Sequence, residues 1–326
     1  MSRYLPLTPG QRGEAIRDLQ RRLGAAGFPP DGAEAGVFGT STERALAEFQ
    51  GGRGLHVHGR CDESTWTALV EASYRLGDRI LVLSAPNMRG DDVADLQSVL
   101  ARLGFDSGRV DGILGPRTTG ALEDFQRNCG LTPDGICGPE TVRALDVLGR
   151  QSGSGPGVAT LREFEALSRS CRRLGDIRVV IGQFGGMSAL TRQVTHALRQ
   201  RGATVTATDE PDAPAQAATA NRFAATVYVG FEARAETMAT VCYYAVPTFE
   251  SAGGRSLATR LVQMFDRMVP GIPLEAHGMR LPVLRETRMP AVLCAIGPVQ
   301  SVLDHAPRVA AAVVEALESW ADAPFI

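Results

Sequence analysis

Two stretches in the first half of the chain repeat one another, and this repetition constrains the fold more than any other feature. One copy begins GEAIRDLQRRLGAAGF (13–28), and the other begins GDDVADLQSVLARLGF (90–105). After a shift of one residue, the similarity continues from FGTSTERALAEFQ (38–50) to LGPRTTGALEDFQ (114–126). A match of this length indicates a duplicated structural unit.

Within each copy the apolar residues recur at intervals of three and four positions, the period of an α-helix. Ile16, Leu19 and Leu23 show this spacing in the first copy. Gly39 and Gly115 supply the turn before the second helix of each copy. We therefore predict two small all-α bundles of three helices, one over residues 8–75 and the other over residues 84–150.

A third domain follows the repeats. Residues 151–175 begin with the Gly-, Ser- and Pro-rich stretch QSGSGPG, which predicts a linker and lead-in. Short apolar segments then alternate with helical patterns over residues 176–326, which is typical of an α/β domain with a mostly parallel, twisted sheet. The predicted strands are 178–182, 204–208, 226–231, 240–246 and 291–296, and the predicted helices are 187–201, 214–224, 254–269 and 300–321.

Composition excludes several classes of function. All 34 basic residues are arginine, so a Schiff-base lysine and a Walker-type phosphate loop are both excluded. The net charge of -2 gives no reason to expect a nucleic-acid partner. No segment approaches the roughly 18 uncharged apolar residues of a transmembrane span, and the N-terminus lacks the apolar core of a secretory signal. We therefore expect a cytoplasmic location.

The repeated pattern resembles the peptidoglycan-binding domain found on many bacterial wall hydrolases. The second copy is closer to that family, with Asp111, Gly112, Gly115 and Thr118 at its glycine turns, whereas the first copy has Ala35 in place of the aspartate. The resemblance implies that these four residues contact a ligand, and that the ligand is peptidoglycan or one of its precursors.

The third domain resembles the zinc-dependent N-acetylmuramoyl-L-alanine amidase domain, most clearly in PVLRETRMPAVLCAIG at 282–297. The order of the domains, with DGICGPET at 134–141, is similar to the actinobacterial CwlM family. The resemblance implies a zinc ion held by His, Glu and His, and a glutamate that activates the metal-bound water.

Each of these metal-site positions is altered in this sequence. Phe184 stands at the first histidine, Glu232 at the second, and Ala295 at the catalytic glutamate. The segment that carries the family's ligand glutamate is missing between residues 186 and 190. We therefore predict a chain without zinc, without another cofactor and without hydrolytic activity.

Several polar residues near these positions remain candidates for binding. Glu232 is expected to pair with an arginine such as Arg234 or Arg285; alternatively, it is simply solvated. His277 belongs to a segment that the family places beside its substrate. Arg285 and Arg288 lie in the loop VLRETRMP, which we predict to lie beside the former metal site and to form a contact surface. Alternatively, Arg285 only braces the fold through local ion pairs.

A fold retained without its metal site suggests a pseudoenzyme. The CwlM resemblance implies a regulator of peptidoglycan precursor synthesis, whose partner is a cytosolic wall-synthesis enzyme, the enolpyruvyl transferase that acts on UDP-N-acetylglucosamine. Two other functions remain open. One is an active amidase that cleaves the muramoyl-L-alanine amide, and the other is an exported module that anchors to the wall.

Overall fold

The computed structural model describes residues 5–149, 158–170, 173–235, 239–246, 249–269, 271–272 and 274–325. The chain divides into two compact units, with the boundary between Ala159 and Thr160. The first unit contains both helical repeats, and the second contains the sheet. In the described part of the chain, no helix is both long enough and apolar enough to cross a membrane.

Each repeat forms three helices, as the sequence predicts. The six helices are α1 (Glu14–Ala25), α2 (Thr40–Gly52), α3 (Glu63–Glu71), α4 (Asp91–Arg102), α5 (Pro116–Asn128) and α6 (Pro139–Gly149). In each repeat, a short antiparallel bridge connects the segment before the first helix to the turn before the third helix. The bridge joins Leu7 to Cys61 in the first repeat and Leu81 to Cys137 in the second.

The two bundles have equivalent cores. Phe28 packs edge-to-face on Phe49 with ring centroids 5.6 Å apart, and Phe105 packs on Phe125 at the same 5.6 Å separation. Such pairs contribute about 0.5–1.5 kcal/mol beyond the burial of their area. The recurrence of the same ring pair explains why Phe28 and Phe49 have counterparts in the repeated sequence.

The second unit alternates helices and strands. Its elements are α7 (Val158–Ser170), β1 (Arg178–Phe184), α8 (Ser188–Gln200), β2 (Thr204–Thr208), α9 (Ala213–Arg222), β3 (Val227–Ala233), β4 (Ala239–Val246), β5 (Phe249–Glu250), α10 (Ala252–Met268), β6 (Glu275–Met279), α11 (Pro282–Glu286), β7 (Ala291–Ile296), α12 (Val299–Asp304) and α13 (Ala306–Asp322).

Four parallel strands form the main part of the sheet, in the order β2-β1-β3-β7. Strand β4 runs antiparallel to β7, β6 lies parallel to β4, and β5 pairs antiparallel with β4. This arrangement confirms the prediction of an α/β domain with a mostly parallel sheet.

The two faces of the sheet are covered differently. Alternate apolar residues such as Ile181, Val229 and Cys294 join one large core with residues of α8, α10 and α13. On the opposite face, the Tyr228 hydroxyl donates to Gln216 Oε1 of α9 at 2.7 Å. Phe184, Glu232 and Ala295 lie on this second face.

Some elements differ from the sequence-based prediction. Helix α7 lies within 151–175, where a linker and lead-in was expected, and β6 and α11 were not predicted. Strand β6 is mostly exposed and lacks an apolar pattern. The single helix predicted at 300–321 is two helices that meet at His305, since Pro307 has no backbone N–H to continue the hydrogen bonding of α12.

Candidate functional site

The three altered metal-site positions come together at the carboxyl ends of neighbouring parallel strands. Phe184 of β1 pairs in register with Glu232 of β3, and Glu232 pairs with Ala295 of β7. Residues in register on adjacent strands point to the same face and lie about 4.8 Å apart. The three side chains therefore form one row, which matches the site that the family resemblance implies.

The connection after β1 is too short to carry a further ligand. Only Gly185, Gly186 and Met187 separate the strand from α8, and both glycines adopt positive φ angles of +81° and +91°. Gln183 Oε1 accepts hydrogen bonds from the backbone N–H groups of Gly186 at 3.2 Å and Met187 at 2.9 Å. Gln183 therefore holds this turn in place through two hydrogen bonds.

Glu232 is the one ionisable side chain in the row. Its Oε2 accepts a hydrogen bond from Arg234 Nη2 at 2.9 Å, which is one of the two arginine pairings predicted from the sequence. Burial raises the pKa of Glu232 above its usual value, while Arg234 acts in the opposite direction. Glu232 is therefore held by an ion pair in a partly desolvated position.

This set of side chains does not fit a catalytic zinc ion, which requires three protein ligands and an open position. A phenyl ring and a methyl group have no lone pair to donate, and the Glu232 carboxylate is already paired with Arg234. Within the described ranges, no three His, Cys, Asp or Glu residues are grouped so that they could hold a metal ion.

The space below the row is filled by a buried hydrogen-bonded network. Gln216 Nε2 donates to the Gln183 carbonyl oxygen at 2.9 Å, and Gln216 Oε1 accepts from Tyr228. A Cβ atom at Gly182 would lie 2.1 Å from Gln216 Oε1 and 2.2 Å from the Tyr228 hydroxyl. Glycine at 182 is thus required by this network, which holds the ends of β1 and β3 in place.

His277 does not join the row. It lies on β6 in register with Cys242 of β4, so β4 and β7 separate it from Glu232. Three strand spacings correspond to about 14 Å. Its Nε2 is 3.3 Å from Glu275 Oε2, and 51% of the His277 side chain is exposed. The structure therefore places His277 on an edge strand.

The predicted position of the VLRETRMP loop was wrong. Residues 283–290 precede β7, so they lie at the opposite end of the strand from Ala295, about 16 Å away along the strand axis. Arg285 is only 7% exposed and cannot serve as a contact surface, whereas Arg288 is exposed. Asn221 holds the loop by donating to the Glu286 carbonyl oxygen and accepting from the Arg288 N–H, each at 2.9 Å.

In the second repeat, three of the four candidate residues, Asp111, Gly112 and Thr118, contact the buried side chain of Gln97. Its Oε1 accepts from the backbone N–H groups of Asp111 at 3.0 Å and Gly112 at 2.8 Å. Its Nε2 donates to Asp111 Oδ1 at 2.9 Å and Thr118 Oγ1 at 3.1 Å. Gly115 is the N-cap of α5. Asp111, Gly112 and Thr118 therefore stabilise the turn from within.

Sequence reasoning missed the glutamines that organise these turns. Gln126 holds the next turn in the same way, because its Nε2 donates to Asp134 Oδ1 at 2.8 Å and its Oε1 accepts from the Gly135 N–H at 2.9 Å. Gln20 and Gln50 occupy the equivalent positions of the first repeat. The signal that could have identified them is their recurrence ahead of each glycine turn.

Known proteins match both parts of the chain. A family model described as a putative peptidoglycan binding domain matches residues 12–69 and 89–145. The N-acetylmuramoyl-L-alanine amidase CwlM of Mycobacterium tuberculosis is 32% identical, over 91% of this chain and 82% of that protein. The chain belongs to the N-acetylmuramoyl-L-alanine amidase family. This confirms the resemblance to CwlM drawn from the sequence.

Other members of the amidase family match shorter regions. The amidase CwlL of Bacillus licheniformis is 34% identical over 39% of this chain and 41% of that protein. Among solved structures, amidase AmiC2 of Nostoc punctiforme has a TM-score of 0.37 at 18% identity, covering 44% of this chain and 96% of its own. Amidase Ami1 of Mycobacterium smegmatis has a TM-score of 0.37 at 14% identity, with the same coverage of 44% and 96%.

Proposed function

We propose that this member of the amidase family is a non-catalytic, peptidoglycan-binding pseudo-amidase that regulates peptidoglycan precursor synthesis in the cytoplasm. The observation that supports the proposal is the row of Phe184, Glu232 and Ala295, which stand in register. The sequence resemblance assigns the family's metal ligands and general base to these positions. An amide is not hydrolysed at a useful rate by one carboxylate without a Lewis acid to polarise it.

The rival function is hydrolysis of the muramoyl-L-alanine amide, which the names of the two amidase relatives favour. The zinc content of the full-length protein distinguishes the two. We expect far less than one zinc per chain by elemental analysis after purification without chelators, because at most one protein ligand remains. One tightly held zinc per chain would remove the basis of the proposal.

Restoring the side chains of the row should not restore hydrolysis. A triple variant with Phe184→His, Glu232→His and Ala295→Glu regains three of the four functional groups. It still lacks the segment with the ligand glutamate, because only Gly185, Gly186 and Met187 connect β1 to α8. We expect this variant to bind zinc weakly and to release no stem peptides. Hydrolysis by the triple variant would show that the turn is not the obstacle.

The proposed partner is the enolpyruvyl transferase that acts on UDP-N-acetylglucosamine. The initial rate of the purified transferase, measured with increasing concentrations of the full chain, tests this directly. We expect a saturable change in rate, weakened by Arg288→Glu in the exposed loop after α11 and unaffected by Arg308→Glu at an exposed position of α13. A transferase whose rate and sedimentation are unchanged by the chain would exclude this partner.

A further inference from the structure

The sequence contains three Asp-Gly pairs, at 31–32, 111–112 and 134–135. Such a pair can rearrange without an enzyme. The backbone nitrogen of the glycine attacks Cγ of the aspartate, forms an N–Cγ bond and expels water to give a five-membered succinimide. Water then opens this ring at either carbonyl, which returns aspartate or gives isoaspartate, whose main chain runs through the side-chain carbon. Glycine favours the reaction because it has no Cβ to shield its nitrogen.

In the second repeat, a buried glutamine holds both reacting groups of each pair. Gln97 Oε1 accepts from the Gly112 N–H at 2.8 Å, and Gln97 Nε2 donates to Asp111 Oδ1 at 2.9 Å. The same two contacts join Gln126 to the pair at 134–135, at 2.9 Å and 2.8 Å. The nitrogen and the carboxylate of each pair are thus fixed by one side chain, and attack requires this clamp to open first.

The pair in the first repeat lies outside the glutamine clamps. Asp31 and Gly32 are both exposed, and within the described ranges neither the Asp31 carboxylate nor the Gly32 N–H has a hydrogen-bond partner. The turn around them is closed by the Ala33 N–H, which donates to the Pro30 carbonyl oxygen at 3.1 Å. The peptide between Asp31 and Gly32 is the central one of this turn, so it can rotate without breaking that hydrogen bond.

The conformation of the glycines does not distinguish the three pairs. Their φ angles are +70° at Gly32, +69° at Gly112 and +68° at Gly135. In the first repeat, the two clamped glycines follow Ala35 and His58, whose side chains cannot form the succinimide. The three Asp-Gly pairs therefore differ in their hydrogen bonding, and their reactivity should follow it.

We propose that Asp31 is a site of isoaspartate formation in the folded chain, and that Gln97 and Gln126 protect the other two Asp-Gly pairs from this modification. Rearrangement at Asp31 inserts one extra main-chain carbon into the loop between α1 and α2. The exposed turn accommodates this atom. At a clamped pair, the same change would displace the glycine N–H from its glutamine.

Ageing of the full-length chain at neutral pH for several weeks tests this proposal. Cleavage after arginine places the three pairs in separate peptides, 23–44, 110–117 and 128–143. Electron-transfer fragmentation distinguishes isoaspartate from aspartate, and the succinimide is detected by its loss of water. We expect isoaspartate to accumulate at least about tenfold faster at Asp31 than at Asp111 or Asp134, because openings that break two hydrogen bonds are rare. In concentrated urea the clamps are absent, and the three pairs should react at similar rates.

Ala35→Asp supplies a matched control. It creates a further Asp-Gly pair in the same peptide as Asp31, but on Gly36, whose N–H donates to Gln20 Oε1 at 2.8 Å. Ala35 is exposed, so the change leaves the core intact. We expect the new pair to stay unmodified while Asp31 reacts. The proposal fails if the folded chain modifies its three native pairs equally, if their difference persists in urea, or if the pair at 35–36 reacts as fast as the pair at 31–32.

Discussion

Replacement of Gln97 by methionine should selectively destabilise the second repeat. The Gln97 side chain is 1% exposed and makes five hydrogen bonds, to the backbone or side chains of Asp111, Gly112, Ile113 and Thr118. Methionine has a similar length and volume, so the change removes the hydrogen bonds with little loss of packing.

The magnitude follows from those five contacts. Each intramolecular hydrogen bond contributes about 0.5–1.5 kcal/mol net, and a buried N–H left without a partner costs about 1–3 kcal/mol. The Gly112 N–H would be left without a partner in the variant, because it donates to Gln97 Oε1 at 2.8 Å. We therefore expect a loss of about 3–5 kcal/mol in the free energy of opening the second repeat.

Local hydrogen exchange is the suitable assay, because a chain with several folding units has no single free energy of unfolding. Peptides from α4 and α5 should lose protection, while peptides from α1 and α2 should not. Gln300→Met, at an exposed position of α12, is the control and should have no effect. A loss below about 1 kcal/mol, or one shared equally by both repeats, would refute the role assigned to Gln97.

Three further predictions concern the second unit. Because burial holds the folded pKa of Glu232 above its usual value, folded protein keeps a proton that unfolded protein releases, and stability falls as pH rises through that range. Arg234→Ala should enlarge this fall, because it removes the group that lowers the pKa of Glu232, and equal unfolding midpoints for variant and wild type across the pH series would contradict it. Gly182→Ala should lower the free energy of unfolding by about 1–3 kcal/mol, because its Cβ would meet Tyr228. Unfolding is monitored at Trp320, and an unchanged midpoint would contradict the buried network. If α7 is part of this unit, Leu167→Ala should lower the free energy of unfolding by about 2–5 kcal/mol in the same assay, because the Leu167 side chain is only 3% exposed.

The helical repeats could be predicted because their apolar period is regular and occurs twice. The glutamine clamps could not be read from the same pattern, since Gln97 looks like an ordinary polar residue within an amphipathic helix. Its importance depends on backbone N–H groups of a turn more than ten residues away in sequence, such as those of Asp111 and Gly112.

The family motif singled out Phe184, Glu232 and Ala295 in the sequence, and the register of β1, β3 and β7 brings these three residues together; that they mark a lost metal site stays a prediction. The VLRETRMP loop was misplaced because it is close to Ala295 in sequence. Residues 291–294 of β7 separate the end of the loop from Ala295 in space, because each strand residue advances the chain by about 3.3 Å. Residues that are close in sequence but lie on either side of a strand are therefore found at opposite ends of the sheet.

The most direct test of the central claim is a measurement of turnover. Purified full-length chain is incubated with peptidoglycan in the presence of added zinc, and released stem peptides are quantified by mass spectrometry against an active amidase of the family. In the row of Phe184, Glu232 and Ala295, only Glu232 carries a group that could bind a metal or accept a proton, and its carboxylate is paired with Arg234. A catalytic zinc requires three protein ligands. We predict no release above the protein-free control, whereas zinc-dependent release that increases with protein concentration would contradict the pseudo-amidase account.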